Sequence, residues 1–459
     1  MNFQNIYTQR RVGSEKSGEG ARSGFQRDFD RLIFSSAFRR LQNKTQVFPL
    51  PGISFVHNRL THSLEVASVG RSLGKMVGEH IAATYRSTDE NTYEFYRYEL
   101  ANVIAAACLA HDIGNPAFGH SGEKAISAYF IDNQNLLIDG TELREKFSAA
   151  EWKDLSNFEG NANAIRVLCH SFRGRFRGGF GLTYSTIASI LKYPCESRAI
   201  DKDFKHRKKY GFFQSEKEII NKIVTEFGMA SEHESMMVYQ RHPFVYLVEA
   251  ADDICYRIID MEDAQRLGIL QRTEVVDAFM DVINSIGRAG EDGSRILSTY
   301  AGIQDQNEGI AYLRAKVINL LALECVDVFM NNTIAILAGT FNDTLLDNIE
   351  ARCGALKAVM DISSSRIYNH DSVIQIEIAG FNVMSELLNL MIPALLRQRP
   401  SHKEEKVLKL FPYQFTEYAL TDSPYEKVMS ALDLLSGMTD TYATEMYRRL
   451  KGIVIPHHD

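Results

Sequence analysis

The stretch CLAHDIGNPAFGHSGEKAI, residues 108–126, sets a histidine and an aspartate side by side at the end of an oily run, then adds His120 and Glu123. Buried polar groups are costly unless they are paired or bound to something. Imidazole nitrogen and carboxylate oxygen together suit Mg, Mn, Fe or Zn, which makes His111 and Asp112 candidate ligands. Adjacent residues on an unbroken helix point about 100° apart, so both reach one ion most easily at a helix end, which Gly114 and Pro116 supply. Taken alone, such a pair is ordinarily a histidine capping its own helix beside a solvated aspartate. His120 and Glu123 lie one helical turn apart and could act together as general acid or base. The plainer alternative is a surface turn entering a helix capped by Ser121.

Two further segments carry the same residue types. In THSLEVASVGRSLGKMVGEHI, His62, Val66, Val69, Leu73, Met76 and Val77 recur at three-and-four spacing and mark one helical face. His62 therefore faces the interior, and His80 falls on the same stripe; a core histidine with one hydrogen bond accounts for either. HPFVYLVEAADDICYRIIDMEDA, residues 242–264, is apolar around most of its circumference yet carries Glu249, Asp252, Asp253, Tyr256, Asp260 and Asp263 along one sector. A solvated acidic face is the default for such a stripe, and spacing does not separate Asp252 from Asp253 as a ligand. Arg59, Lys192 and the KHRKKYG cluster with Lys209 could meet phosphate, and RGRFRGG could meet nucleic acid, although most such cations are simply solvated.

The elements that must position these groups are helices. Helical periodicity dominates, and strand signals are few and short. Residues 27–47 read as one cation-rich helix, residues 132–140 and 195–214 as loops, and GRAGEDG, 287–293, as a boundary between parts 1–290 and 291–459. The chain of 459 residues, 45% hydrophobic and 24% charged, can bury a large core. Its net charge of -7 gives no general reason to expect nucleic acid or membrane, so any phosphate-binding surface must be local. The N-terminus lacks the apolar centre of a signal peptide, and the six cysteines are scattered without a C-x-x-C pair. A cytoplasmic, reducing environment is expected.

In chain order, His62, His111, Asp112 and Asp252 form an H…HD…D set that resembles the HD phosphohydrolase superfamily. The segments FRRLQNKTQVF, NRLTHSLEV, HDIGNPAFGHSGEKAI, FEGNANAIR, LKYP, KKYGFFQSEKE and EAADDICYRIIDMEDA resemble the deoxyguanosine triphosphate triphosphohydrolases over about residues 20–265. SGMTDTYA, 436–443, is a further patch. Pro116-Ala117 stands where that family usually has a proline pair, and VHNRL replaces a commoner R-T-R-L.

The resemblance implies a mostly α fold: an HD-domain helical core with an N-terminal substrate-binding helix, and an additional C-terminal helical region for base recognition and subunit contacts. It implies one divalent metal (Mg, Mn or Fe) on His62, His111, Asp112 and Asp252, which selects Asp252 over its neighbour. His120 and Glu123 are implied in catalysis, Arg59, Lys192 and Lys209 on the triphosphate, and Asn115 and Asn161 along the site. Gln46, Val47, Tyr256 and Asp260 are implied at sugar and base. The implied reaction is hydrolysis of dGTP, or of other dNTPs, to deoxynucleoside and inorganic triphosphate. Implied partners are that substrate and copies of the same chain, in a hexamer or another even assembly, with nucleic acid as an effector at most and no membrane. Two alternatives stand beside it: an HD phosphatase or phosphodiesterase acting on another nucleotide, and a dNTP- or nucleic-acid-binding regulator without turnover.

Overall fold

Serine caps divide the cation-rich N-terminal segment that periodicity alone reads as one helix. Ser23 accepts a hydrogen bond from Gln26 N at the start of the Gly24–Ile33 helix, and Ser35 accepts one from Phe38 N to start a second, Ser36–Arg40. A serine hydroxyl serves a helix better at its first turn than in its interior, so the chain breaks and restarts there. After one tighter turn, Leu41–Asn43, the backbone leaves helix altogether, and Thr45 pairs with Asn58 in an isolated antiparallel bridge. Residues 44–47 thus form a strap rather than the end of a helix.

The computed structural model describes residues 1–14, 22–48, 56–288 and 292–454. Within them the chain is mostly α-helical, with one hairpin of two-residue strands, Leu137–Ile138 and Thr141–Glu142. Asp139 and Gly140 both take positive φ at its tip, 53° and 81°, as a two-residue hairpin turn of matching twist requires.

Asn58 and Thr61 form a reciprocal cap on the 27-residue helix Arg59–Tyr85. That helix packs along Leu100–Ala110, which is buried over nearly its whole surface. The approach is close because the facing residues of the longer helix are glycines. A Cβ at Gly70 would lie 2.4 Å from Cys108 Sγ, and one at Gly78 would lie 2.2 Å from Tyr96 O. The buried arc centres on Val66, Gly70, Leu73, Gly74 and Val77, which leaves Val69 and Met76 half-buried and His80 exposed. His80 therefore does not share the interior position of His62. Val245–Arg266 packs against both helices, and Gln306–Asn331 lies along it.

The boundary expected at residue 290 falls on 289–291, outside the described residues. One apolar cluster runs from Ile6 to Val373. A second joins Gly119–Asp132 to the later half of Asp371–Leu396 and to Pro424–Ser436. Asp371–Leu396 is long and apolar enough to cross a membrane, and half of its most apolar window is buried inside the protein. All six cysteines are free and buried.

Arg166, fully buried on the Gly160–Cys169 helix, ties distant parts together. Its guanidinium donates to Asp433 Oδ1 and Oδ2 at 2.7 and 2.8 Å and to Glu216 Oε1 at 2.9 Å. Arg166→Ala strands two buried carboxylates and is expected to cost about 3–5 kcal/mol of stability. Urea unfolding measures this, and an unchanged midpoint would contradict it.

Candidate functional site

Three helices deliver the groups of the H…HD…D set to one point. His62 comes from the first turn of Arg59–Tyr85, His111 and Asp112 from the end of Leu100–Ala110, and Asp252 from the middle of Val245–Arg266. Ligand-type atoms of His62, His111 and Asp112 lie within 4.8 Å of one another. Asp252 Oδ1 stands 3.1 Å from His62 Nε2 and 3.4 Å from His111 Nε2.

The decisive atom is His111 Nε2. His111 Nδ1 lies 2.6 Å from the Cys108 carbonyl oxygen, so it carries the proton and donates it there. Nε2 is buried without a hydrogen-bond partner and faces carboxylates. An imidazole whose other nitrogen donates to a backbone carbonyl is the usual arrangement of a metal-ligating histidine. The electrostatics agree. Burial opposes protonation of His111, but Asp112 and Asp252 outweigh it and push the imidazole up to about 9. Burial likewise opposes ionisation of Asp112, yet Arg59, His111 and His62 hold its carboxyl down to about 2. Positive charge is favoured at this point, and a divalent cation would neutralise the same carboxylates while accepting the free lone pair. The donor set of two imidazoles and two carboxylates fits such an ion.

A second cluster begins at the left-handed Phe118 (φ 62°), which starts the Gly119–Asp132 helix. Glu123, 6% exposed, engages both carboxylate oxygens: Oε2 accepts from His120 Nδ1 at 2.8 Å and Oε1 from Gly160 N at 2.8 Å. The second contact needs a bare backbone, since a Cβ on Gly160 would lie 2.5 Å from Glu123 Oε1. Gly160 opens its own helix, and a helix N-terminus favours an anion. Burial raises the Glu123 carboxyl, and His120, Lys209 and the Gly160 amide more than offset this, leaving it below the ordinary value. The His120 side chain is 70% exposed.

Both clusters border a cavity of about 1100 Å³. Three of the cations along it each hold a carboxylate: Arg59 binds Asp112 at 2.7 Å, Lys192 binds Glu249 at 3.3 Å and Lys209 binds Glu159 at 3.0 Å. Asn115 donates to Asp112 Oδ1, and Asn161 donates to Glu159 Oε1 at 2.6 Å. Gln46, Val47, Tyr256 and Asp253 also line the wall. The Gln46 Oε1 atom is buried without a partner.

Residues 59–185 match the HD domain family. A deoxyguanosinetriphosphate triphosphohydrolase-like protein of Synechocystis sp. is 36% identical over 460 residues, covering 99% of this chain and 100% of the relative. The chain belongs to the deoxyguanosinetriphosphate triphosphohydrolase family. A like-named protein of Pseudomonas aeruginosa is 36% identical over 461 residues, 98% of this chain and 99% of its own. A deoxyguanosinetriphosphate triphosphohydrolase of Yersinia enterocolitica is 30% identical over 515 residues, 97% of this chain and 98% of its own.

Of the family positions carried onto this chain, His62 and Asp260 are not on the cavity wall. His62 sits just behind it, against Asp252. Asp260 is buried beneath Tyr368, whose hydroxyl donates to its Oδ2 at 2.8 Å. Burial, with repulsion from Asp263, pushes the Asp260 carboxyl up to about 8 against the pull of that hydrogen bond. Tyr368 is a wall residue that sequence reasoning missed. Its ring stacks on Tyr256 with centroids 5.4 Å apart and planes at 20°. It lies in the stretch 291–402, where no motif or spacing marks it.

Replacing His62, His111, Asp112 or Asp252 by Ala is expected to strip divalent metal from the purified protein, because each removal opens the ligand set. Asp253→Ala is expected to keep it. Elemental analysis decides: full metal content in Asp252→Ala with loss in Asp253→Ala would reverse the assignment.

Proposed function

We propose that the protein hydrolyses dGTP, and related dNTPs, to deoxynucleoside and inorganic triphosphate, using Mg, Mn or Fe held by His62, His111, Asp112 and Asp252. The observation that carries this reading is the unpartnered His111 Nε2 beside three further ligand groups, on a cavity that also presents cations and a His–Glu pair. A divalent ion bound there supplies Lewis acidity to a phosphate oxygen and lowers the pKa of water. The chain supplies the rest. Arg59, Lys192 and Lys209 neutralise charge on the phosphate chain, with Asn115 and Asn161 along its path.

Both oxygens of Glu123 are engaged, whereas His120 is exposed with only Nδ1 held. This supports His120 as the proton donor to the leaving 5′-oxygen, from Nε2, and Glu123 as the group that orients it. The stacked Tyr256 and Tyr368 form a flat aromatic wall near Asp252, suited to a sugar without a 2′-hydroxyl. Asp260 then acts through Tyr368 rather than on the sugar itself.

The family resemblance further suggests an even-numbered homo-oligomer in the cytoplasm. Ile374, Ile378 and Phe381 are 37%, 59% and 38% exposed, and their spacing makes one apolar stripe along the outer side of their helix. Such an assembly would cover that stripe, and light scattering reads its size.

His120→Ala is expected to retain metal and nucleotide while kcat falls about 10²–10⁴-fold, the range for a lost general acid. Near-normal turnover in the folded variant would remove His120 from the mechanism. Wild type is expected to prefer dGTP over GTP, and Tyr256→Ala to narrow that preference by about 10–200-fold in relative kcat/KM. Equal rates on both nucleotides in the wild type would contradict the aromatic wall's role.

A further inference from the structure

Asp440 opens the Asp440–Leu450 helix, is 8% exposed and does not line the cavity. Its two carboxylate oxygens accept from two backbone amides that are far apart in the chain: Oδ2 from Thr45 N at 2.8 Å and Oδ1 from Phe118 N at 2.8 Å. Thr45 precedes Gln46 and Val47 on the strap, and Phe118 precedes the helix that carries His120 and Glu123. One carboxylate therefore joins two walls of the site.

Phe118 needs such a hold. It is one of two non-glycine residues with positive φ among those described, a conformation that costs on the order of 1–3 kcal/mol and persists only where neighbours fix it. The Asp371–Leu396 helix presses a bare backbone against it, since a Cβ at Gly380 would lie 2.5 Å from the Phe118 side chain. The residue before Thr45 repeats the stitch. Buried Lys44 donates from Nζ to the carbonyls of Asn115 and Ser436, each at 2.6 Å. Segment 436–440, within the SGMTDTYA patch of the family resemblance, thus grips both the strap and the loop that follows Asp112.

We propose that Asp440 is a positioning residue for the reaction: by holding the Phe118 and Thr45 amides together it fixes the turn that aims His120 at the cavity and the register of Gln46 and Val47. This rests on the role given to His120 above. An amide at position 440 keeps one acceptor oxygen and cannot serve both amides, and Ala serves neither.

The test combines kinetics with hydrogen exchange. Asp440→Ala, and Asp440→Asn should the alanine variant fold poorly, is expected to lower kcat on dGTP by about 10²-fold, the effect of a small misplacement of a reacting group. In the His120→Ala background the same change is expected to add little to the loss in kcat, because the proton donor it positions is already gone, whereas its hold on Gln46 and Val47 reads out in KM. A merely structural role would instead lower kcat by the same factor in both backgrounds, which would overturn the proposal. Hydrogen exchange without nucleotide gives an independent readout: peptides covering 40–48 and 113–123 are expected to exchange faster in the variant while the remainder is unchanged. Unchanged exchange in those two peptides, or a uniform increase everywhere, would overturn it as well. A wild type inactive on every nucleotide would refute the proposed reaction, and the exchange result would still decide whether Asp440 holds the two amides.

Discussion

The His111 imidazole is the constraint on which the arrangement turns. One nitrogen is committed to the Cys108 carbonyl, and the other is buried, unpartnered and pointed at carboxylates. That geometry demands positive charge at the meeting of three helices, and much of the surrounding structure serves to bring those helices close. The glycines of Arg59–Tyr85 let it settle onto Leu100–Ala110, so that His62 reaches the end of the neighbouring helix. Arg59, one turn before His62, pairs with Asp112 and adds charge on the far side of the same carboxylate.

The His120–Glu123 pair obeys the same economy of orientation. Glu123 is fixed by a helix N-terminus on one oxygen, and this leaves the other to hold His120. The C-terminal helices complete the site instead of standing apart from it. They bring Tyr368 over Tyr256, Gly380 against Phe118 and Asp440 between the strap and the loop. Residues from the first and last parts of the chain meet at one cavity, so its shape depends on packing that spans nearly the whole sequence.

What could be read from the sequence follows from the range of the interactions involved. Local periodicity carried the helical class, and residue type with order carried the H…HD…D set. Spacing alone could not choose Asp252 over Asp253, because adjacent helical positions differ only in direction; the structure puts Asp252 against both histidines. The break at Ser35 was missed because cationic residues on both sides continue a helical pattern across a local cap. His80 shares a helical direction with His62 but lies at the edge of the buried arc. Tyr368 carried no signal, and Asp440 only its place in the SGMTDTYA patch, which says nothing of its contacts: their partners Asp260 and Phe118 are 108 and 322 residues away, a separation that no motif encodes.

In the proposed reaction water attacks the α-phosphorus and displaces the deoxynucleoside 5′-oxygen, so that the triphosphate is released intact. Hydrolysis of dGTP in ¹⁸O-labelled water with Mg or Mn, followed by ³¹P NMR and mass analysis of the products, tests it most directly. The account predicts deoxyguanosine together with inorganic triphosphate bearing one ¹⁸O on a terminal phosphorus. Orthophosphate, or dGMP with pyrophosphate, would contradict it.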